Sequence, residues 1–167
     1  ADDMGLGKTV QALAFLEKAL AHEDRRVRSN AVEALGNHKG DQALTLLEKA
    51  LADRDPRVRR SAVAALGRIG GAQALALLAK ALANPDLAVR WDALVTVERV
   101  GGDQALGLLE KATADQDARV RDRAVLAVSR IGGDQALAIL EKTLAHQDEN
   151  TRCSVVSALY RFKGEKT

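Results

Sequence analysis

From Gly40 onward the apolar and polar positions of this chain recur with a fixed period. GDQALTLLEKALADRDPRVRRSAVAALGRIG (40–70) is followed by GAQALALLAKALANPDLAVRWDALVTVERVG (71–101). Then come GDQALGLLEKATADQDARVRDRAVLAVSRIG (102–132) and GDQALAILEKTLAHQDENTRCSVVSALYRFK (133–163). The period is 31 residues, and one step back gives QALAFLEKALAHEDRRVRSNAVEALGNHK (11–39) in the same phase. Repetition at this length marks a stack of supersecondary units.

Each of the five units divides into two helices. Leu44, Leu47 and Leu51 follow the spacing of an amphipathic helix. A short turn follows, with Asp55 placed as an N-cap and Pro56 as the first residue of a second helix. That helix runs to about Arg68 and ends toward Gly70-Gly71, which permits left-handed backbone. So short a helix pair cannot bury its apolar stripe alone, and stacked neighbours supply the missing surface. The expected fold is all-α, a right-handed solenoid of five helix pairs over 11–164, with an N-terminal extension (1–10) and a short tail (165–167).

Composition agrees with tight helix packing. Hydrophobic residues make up 47% but aromatics only 2%, so the core must be built from Ala, Leu, Val and Ile. Strand-type alternation is nearly absent. A net charge of +2 gives no nucleic-acid or membrane signal by itself, and no run reaches the ~18 apolar residues of a membrane span. The lone Cys153 has no internal disulfide partner, which fits a reducing, cytoplasmic setting. An opening Ala in place of Met suggests a chain cut from something longer or processed.

The run DPRVRRSAVAALGRIG (55–70) and its equivalents resemble the HEAT-like repeats of the phycobilisome-lyase type, also used in artificial helical-repeat scaffolds. The resemblance covers about 150 residues. It implies the solenoid fold and a range of roles: scaffolds, lyases acting on bilins, and repeats appended to signalling ATPases.

Two columns run through all five units. Asp24, Asp55, Asp86, Asp117 and Asp148 form one; Arg28, Arg59, Arg90, Arg121 and Arg152 form the other, four residues later. At about 100° per residue, Val58, Ala62, Ala65, Leu66 and Ile69 gather on one stripe, and Arg59 falls between it and Val63. The Arg column therefore belongs between stacked units. Its expected role is to bond the capping Asp of its own or the adjacent unit, as a structural ladder.

The opposite arc of each second helix varies between units and is the natural contact face, because second helices line the concave side of such solenoids. Candidate partner-binding residues there are Arg68, Trp91, Asp92, Val95, Arg99, Arg123, Leu126, Arg130 and Arg161. Arg68, Arg99, Arg130 and Arg161 share one column, a row suited to carboxylates or phosphates, although Arg also favours a helix C-terminus. Trp91 is the only Trp and is expected on the exposed arc. Beside Asp92 it faintly resembles the HEAT-like DNA glycosylases, but Asp92, Glu98 and Asp122 interrupt any basic face.

The opening ADDMGLGKTVQALAFL resembles motif I of the helicase-like, chromatin-remodelling ATPases. The resemblance implies a phosphate loop at Gly7, Lys8 and Thr9, with Asp2 where the general pattern has its first Gly. Magnesium-dependent hydrolysis also needs an acidic motif after an apolar strand, and none follows. Gln11 onward fits the helical repeat, with Thr9 as a candidate N-cap. His22, His38 and His146 lie in different units, and His22 and His146 share a turn column with Asp53, Asn84 and Asp115, so no metal site is expected.

These readings converge on a non-catalytic, monomeric interaction scaffold without cofactor or metal, expected to bind a protein partner such as an acidic segment on the concave face of its second helices. The alternatives are an accessory region of a larger ATPase or signalling protein, or a bilin-lyase-like or DNA-binding repeat protein.

Overall fold

The structure, a computed structural model, describes the backbone of residues 3–164 and the side chains of residues 7–161. Ala1, Asp2 and the tail 165–167 lie outside the described residues. Every regular element among the described residues is a helix: α1 (Asp3–Leu20), α2 (Arg25–Leu35), α3 (Asp41–Ala50), α4 (Pro56–Ile69), α5 (Gly71–Leu82), α6 (Leu87–Val100), α7 (Gly102–Ala112), α8 (Ala118–Ile131), α9 (Gly133–Thr143) and α10 (Glu149–Gly164). Odd-numbered helices are the first of each pair and even-numbered helices the second.

The chain forms two compact units, Ala1–Asp92 and Ala93–Thr167. In the first, α1 packs on α2 and α3 on α4 within pairs; between pairs α2 packs on α4, and α1 and α5 on α3. In the second, α7 packs on α8, α9 on α10, α8 on α10 and α7 on α9. Each is therefore a two-layer stretch of α-solenoid, first helices against first helices and second against second. In both, the second helices are in more extensive mutual contact than the first.

Small residues set the spacing of the layers. Ala43, Ala74, Ala105 and Ala136 in the first helices and Ala62, Ala93 and Ala124 in the second are fully buried. Leu47, Leu66, Leu78, Leu94, Leu109 and Leu140 fill the volume between them. An aromatic-poor chain is what such close approach requires.

The second helices begin as the sequence predicts. Asp24, Asp55, Asp86 and Asp117 each accept the backbone N–H two residues on, at 2.8–2.9 Å. Asp148 accepts that of Thr151 at 3.0 Å. Pro56 sits at the helix start, where its missing N–H costs nothing.

Helix α1 departs from the expected start. It runs from Asp3, so Thr9 lies inside the helix rather than capping it. No Pro interrupts residues 3–11, and Gly5 and Gly7 each cost only ~1 kcal/mol in a helix.

The junctions between units are of two kinds. At Gly70-Gly71, Gly101-Gly102 and Gly132-Gly133 both residues have positive φ, and Gly70, Gly101 and Gly132 lie near φ 70°, ψ −169°. Only Gly adopts that region readily. Lys39 occupies this column at the first junction, and α2 closes early, at Leu35, through Gly36 in a right-handed conformation. Gly101→Ala is expected to destabilise the protein by about 1–3 kcal/mol. Gly40→Ala, at φ −84° with open space around it, should be neutral or stabilising by up to ~1 kcal/mol. Urea titration of the two variants checks the contrast.

Candidate interaction face

The five Arg residues of the repeated column are held in one way. Each uses a single Nη1 to donate to the two carbonyls that end its own inter-helix turn, six and five residues back. Arg28 binds His22 and Glu23, Arg59 binds Asp53 and Arg54, and Arg90 binds Asn84 and Pro85. Arg121 binds Asp115 and Gln116, and Arg152 binds His146 and Gln147. Arg28, Arg90 and Arg121 are buried. The column is structural, as its position on the helix implies.

The carboxylate partner comes from the next pair along, but from two columns rather than one. Arg28 grips Asp53 with Nε and Nη2, at 2.8 and 3.0 Å. Arg59 pairs with the cap Asp86, and Arg121 with the cap Asp148 at 3.0 Å. The residue in the turn column decides. Where it is Asp53 it takes the guanidinium itself; where it is Asn84 or His146, without a carboxylate, the cap Asp does. In every turn this same residue accepts the N–H of the cap: His22, Asp53, Asn84, Asp115 and His146 do so at 2.8–3.0 Å. That shared duty explains a column mixing His, Asp and Asn. Among the described residues no group of His, Cys, Asp and Glu can hold a metal ion.

These contacts hold the carboxyls of Asp53, Asp86, Asp117 and Asp148 low. Burial opposes ionisation of Asp53, but the Arg28 hydrogen bond and the Asp55 N–H outweigh it. The Ala88 N–H and Arg59 lower Asp86, and Arg119 lowers Asp117. Asp148 is lowered furthest, to about 2, by the Thr151 hydroxyl, Arg121 and the Thr151 N–H.

The outward arc of the second helices is also cross-linked along the stack, at a step of 32 residues. In the first unit Arg60 pairs with Asp92, and the Ser29 and Ser61 hydroxyls lie 2.8 Å apart. Arg68 is exposed; it donates to the Glu33 carbonyl at 3.0 Å and lies over Gly36, where a Cβ would stand 2.5 Å from Nη2. Trp91 is half-buried rather than exposed.

In the second unit the Glu98 carboxylate gathers Arg123 and Arg130, each at 2.7 Å. Val95, Arg99, Arg130 and Arg161 are exposed; Arg123 and Leu126 are half-buried. Among the described residues, Arg99 and Arg161 make no hydrogen bond or ion pair. The Arg column thus divides into residues engaged with their neighbours, Arg68 and Arg130, and residues that are not, Arg99 and Arg161. Sequence alone did not separate them, because the residue that engages each Arg lies one period away on another helix.

Between α8 and α10 this face opens into a groove of about 350 Å³. Val125, Leu126 and Ala158 give it an apolar lining, and Asp122, Ser154, Ser157 and Arg161 supply polar groups. The Ser154 hydroxyl donates to Asp122 at 2.9 Å, which occupies that carboxylate from within. The groove thus sets an apolar lining beside the Arg161 guanidinium.

The first helices carry a different ladder, unforeseen in the sequence. Lys49 pairs with Glu17 at 3.1 Å, Lys80 with Glu48, and Lys142 with Glu110 at 2.6 Å. Its signal was present as the Glu-Lys dipeptides 17–18, 48–49, 110–111 and 141–142. Gly7, Lys8 and Thr9 lie exposed within α1. Helical N–H groups at these positions point along the axis to carbonyls four residues back and do not converge as a phosphate cradle does.

The family model described as HEAT repeats matches residues 3–63, 45–129 and 105–167. The chain belongs to the HEAT-repeat family. No curated protein matches it in sequence. Among solved structures it is similar to a designed armadillo repeat protein in complex with the peptide (KR)4, with 26% identity, TM-score 0.54, and 91% of this chain and 82% of that one covered. It is similar in fold to the CpcE–CpcF complex of phycocyanin lyase from Nostoc sp. PCC7120, with 23% identity, TM-score 0.58, and 90% and 64% covered. The Pds5–Scc1 complex gives 15% identity, TM-score 0.67, and 90% and 30% covered. The chain thus spans under two thirds of the lyase chain and under a third of the chain from the Pds5–Scc1 complex.

Proposed function

We propose that the chain is a non-catalytic interaction scaffold that binds an acidic protein segment on the face of its second helices. The groove between α8 and α10 carries this reading, with its apolar lining beside the unpaired Arg161. A bidentate guanidinium–carboxylate contact fixes the orientation of such a segment, and an apolar anchor seated in the groove supplies desolvation. Arg99 extends the anionic preference, while Asp122 is satisfied internally by Ser154. The designed armadillo repeat protein in complex with the peptide (KR)4 supports peptide binding by a similar stack. The charges that matter here favour the opposite sign.

No helix among the described residues is long and apolar enough to cross a membrane, and Cys153 is exposed as a free thiol. A reducing, cytoplasmic setting is part of this proposal and is supported by that free thiol alone. Nucleic acid is the weaker reading, because Asp92, Glu98 and Asp122 lie among the basic residues of this arc.

Fluorescence anisotropy with an acidic peptide containing one Leu, with (KR)4, and with single-stranded and duplex DNA tests the reading at two salt concentrations. The acidic peptide is expected to bind best and to weaken with salt, as exposed charges are screened beyond ~8 Å. The double variant Arg99→Glu/Arg161→Glu should lose at least about tenfold in affinity, or ~1.4 kcal/mol, with its melting curve unchanged. Equal binding by that variant, or preference for DNA with a steep salt slope, sinks the proposal.

A further inference from the structure

We infer that a second groove, between the first helices α7 and α9, binds a small apolar carboxylate. It holds about 690 Å³, within the range of roughly 300–1,000 Å³ of small-molecule sites. The equivalent place in the first unit, between α1 and α3, lies three periods earlier and can be compared position by position. There the groove holds about 270 Å³, with Glu17, Leu20, Ala50 and Asp53 in its lining. In the second unit those positions are Glu110, Thr113, Thr143 and His146. The backbone plan is shared, and the lining is what differs.

Three residues depart from the repeat here, and all three line the groove. Thr113 stands in the column of Leu20, Leu51, Leu82 and Leu144, and Thr143 in that of Ala19, Ala50, Ala81 and Ala112. Both are buried, at 5% and 7% exposure. Gly107 stands where other first helices carry Ala14, Thr45, Ala76 and Ala138. Nothing in the fold calls for Gly at this position. It lies within α7, its φ is not positive, and a Cβ would meet no atom within 4 Å. Gly is the poorest helix former after Pro, and here its effect is to leave the groove open.

The polar groups of the lining favour an anion with an apolar body. The Thr113 hydroxyl donates to the Glu110 carbonyl and that of Thr143 to the Ile139 carbonyl, each at 2.7 Å. Neither is left unsatisfied when an apolar group covers it. Lys142 engages the Glu110 carboxylate at 2.6 Å, which neutralises that acid. Lys111 is exposed and, among the described residues, makes no hydrogen bond or ion pair. His146 accepts the Asp148 N–H through Nδ1 at 3.0 Å. A neutral imidazole that accepts at Nδ1 carries its proton on Nε2, so its other edge is a donor. The first unit has Asp53 in that position, an acid already held by Arg28. A carboxylate answers both Lys111 and His146 by charge-assisted hydrogen bonds, whereas an amine would meet two Lys residues. This site is separate from the groove between α8 and α10, which lies on the second helices.

Amide NMR titration of the full chain with octanoate, octanol and octylamine tests the inference. Octanoate should give saturable shifts at residues 107–114 and 142–146, with octanol at least about tenfold weaker and octylamine weaker still. Thr113→Leu restores the residue that the repeat carries elsewhere. Its melting temperature should therefore hold or rise while octanoate affinity falls at least about tenfold. Lys111→Gln and His146→Asp should each weaken octanoate by about threefold and leave octanol unchanged. Asp serves the same turn at Asp53 and Asp115, so the second of these variants keeps its fold. The inference is overturned if octanoate shifts nothing in these segments, or shifts only the groove between α8 and α10. It is equally overturned if Thr113→Leu binds octanoate as the wild type does, or if octylamine binds as well as octanoate.

Discussion

Arg121→Ala is expected to destabilise the protein by about 2–4 kcal/mol, whereas Arg99→Ala should cost no more than ~0.5 kcal/mol. The two are Arg residues on second helices, and they differ in what surrounds them. The Arg121 side chain is 10% exposed and donates to the Thr151 hydroxyl, two turn carbonyls and Asp148. Its loss removes those bonds together and opens a space beside Val120 and Ala124, both fully buried. Arg99 is exposed and bonds nothing, so truncation removes only a solvated side chain.

The same variant carries a pH signature. Asp148 ionises at about 2 in the folded protein, below the ordinary 3.8. A carboxylate lowered in this way stabilises the fold above its unfolded value and loses that contribution as pH falls through its folded value. Wild-type stability should therefore drop between about pH 4 and pH 2, with Asp53, Asp86 and Asp117 adding to the loss. Arg121→Ala should show a shallower drop in that window, retaining the part owed to Thr151. Urea midpoints at pH 7, 4 and 2.5 measure both effects, and equal losses for Arg121→Ala and Arg99→Ala at pH 7 would falsify the assignment of the columns.

The second large effect lies in the first helices. Leu46→Ala should cost about 2–5 kcal/mol, as expected for a buried Leu whose neighbours cannot collapse fully into the cavity. Phe15→Ala, in the same column of the repeat, should change stability by no more than ~0.5 kcal/mol at micromolar protein despite removing a larger side chain. Leu46 is 2% exposed and Phe15 71%. Comparable losses in the two denaturation curves would show that Phe15 is covered after all.

Much of the candidate face was legible in the sequence as a set of positions, but not as a set of partners. Arg68, Arg99, Arg130 and Arg161 are indistinguishable by column. The neighbours that engage two of them, the Glu33 carbonyl and Glu98, come from the preceding helix pair. Glu98 stands where other units carry Gly36, Gly67, Ser129 and Tyr160, so only this unit offers an acid to a following Arg. The groove between α8 and α10 was equally hidden, since its lining is assembled from two helices a full period apart.

The sequence by itself determined the local and the periodic. Helix pairs, their Asp caps, the Gly-Gly junctions and the burial of the Arg column all follow from short-range stereochemistry and a repeated apolar stripe, which act within one unit or between identical neighbours. The tertiary structure decided what depends on the particular residue one period away. Asp53 rather than Asp55 receives Arg28, Arg161 stays free while Arg130 does not, and Phe15 and Val156 are bare although their columns are core. In a stack each side chain's environment is set by the adjacent pair, so equal letters acquire unequal roles wherever that neighbour differs.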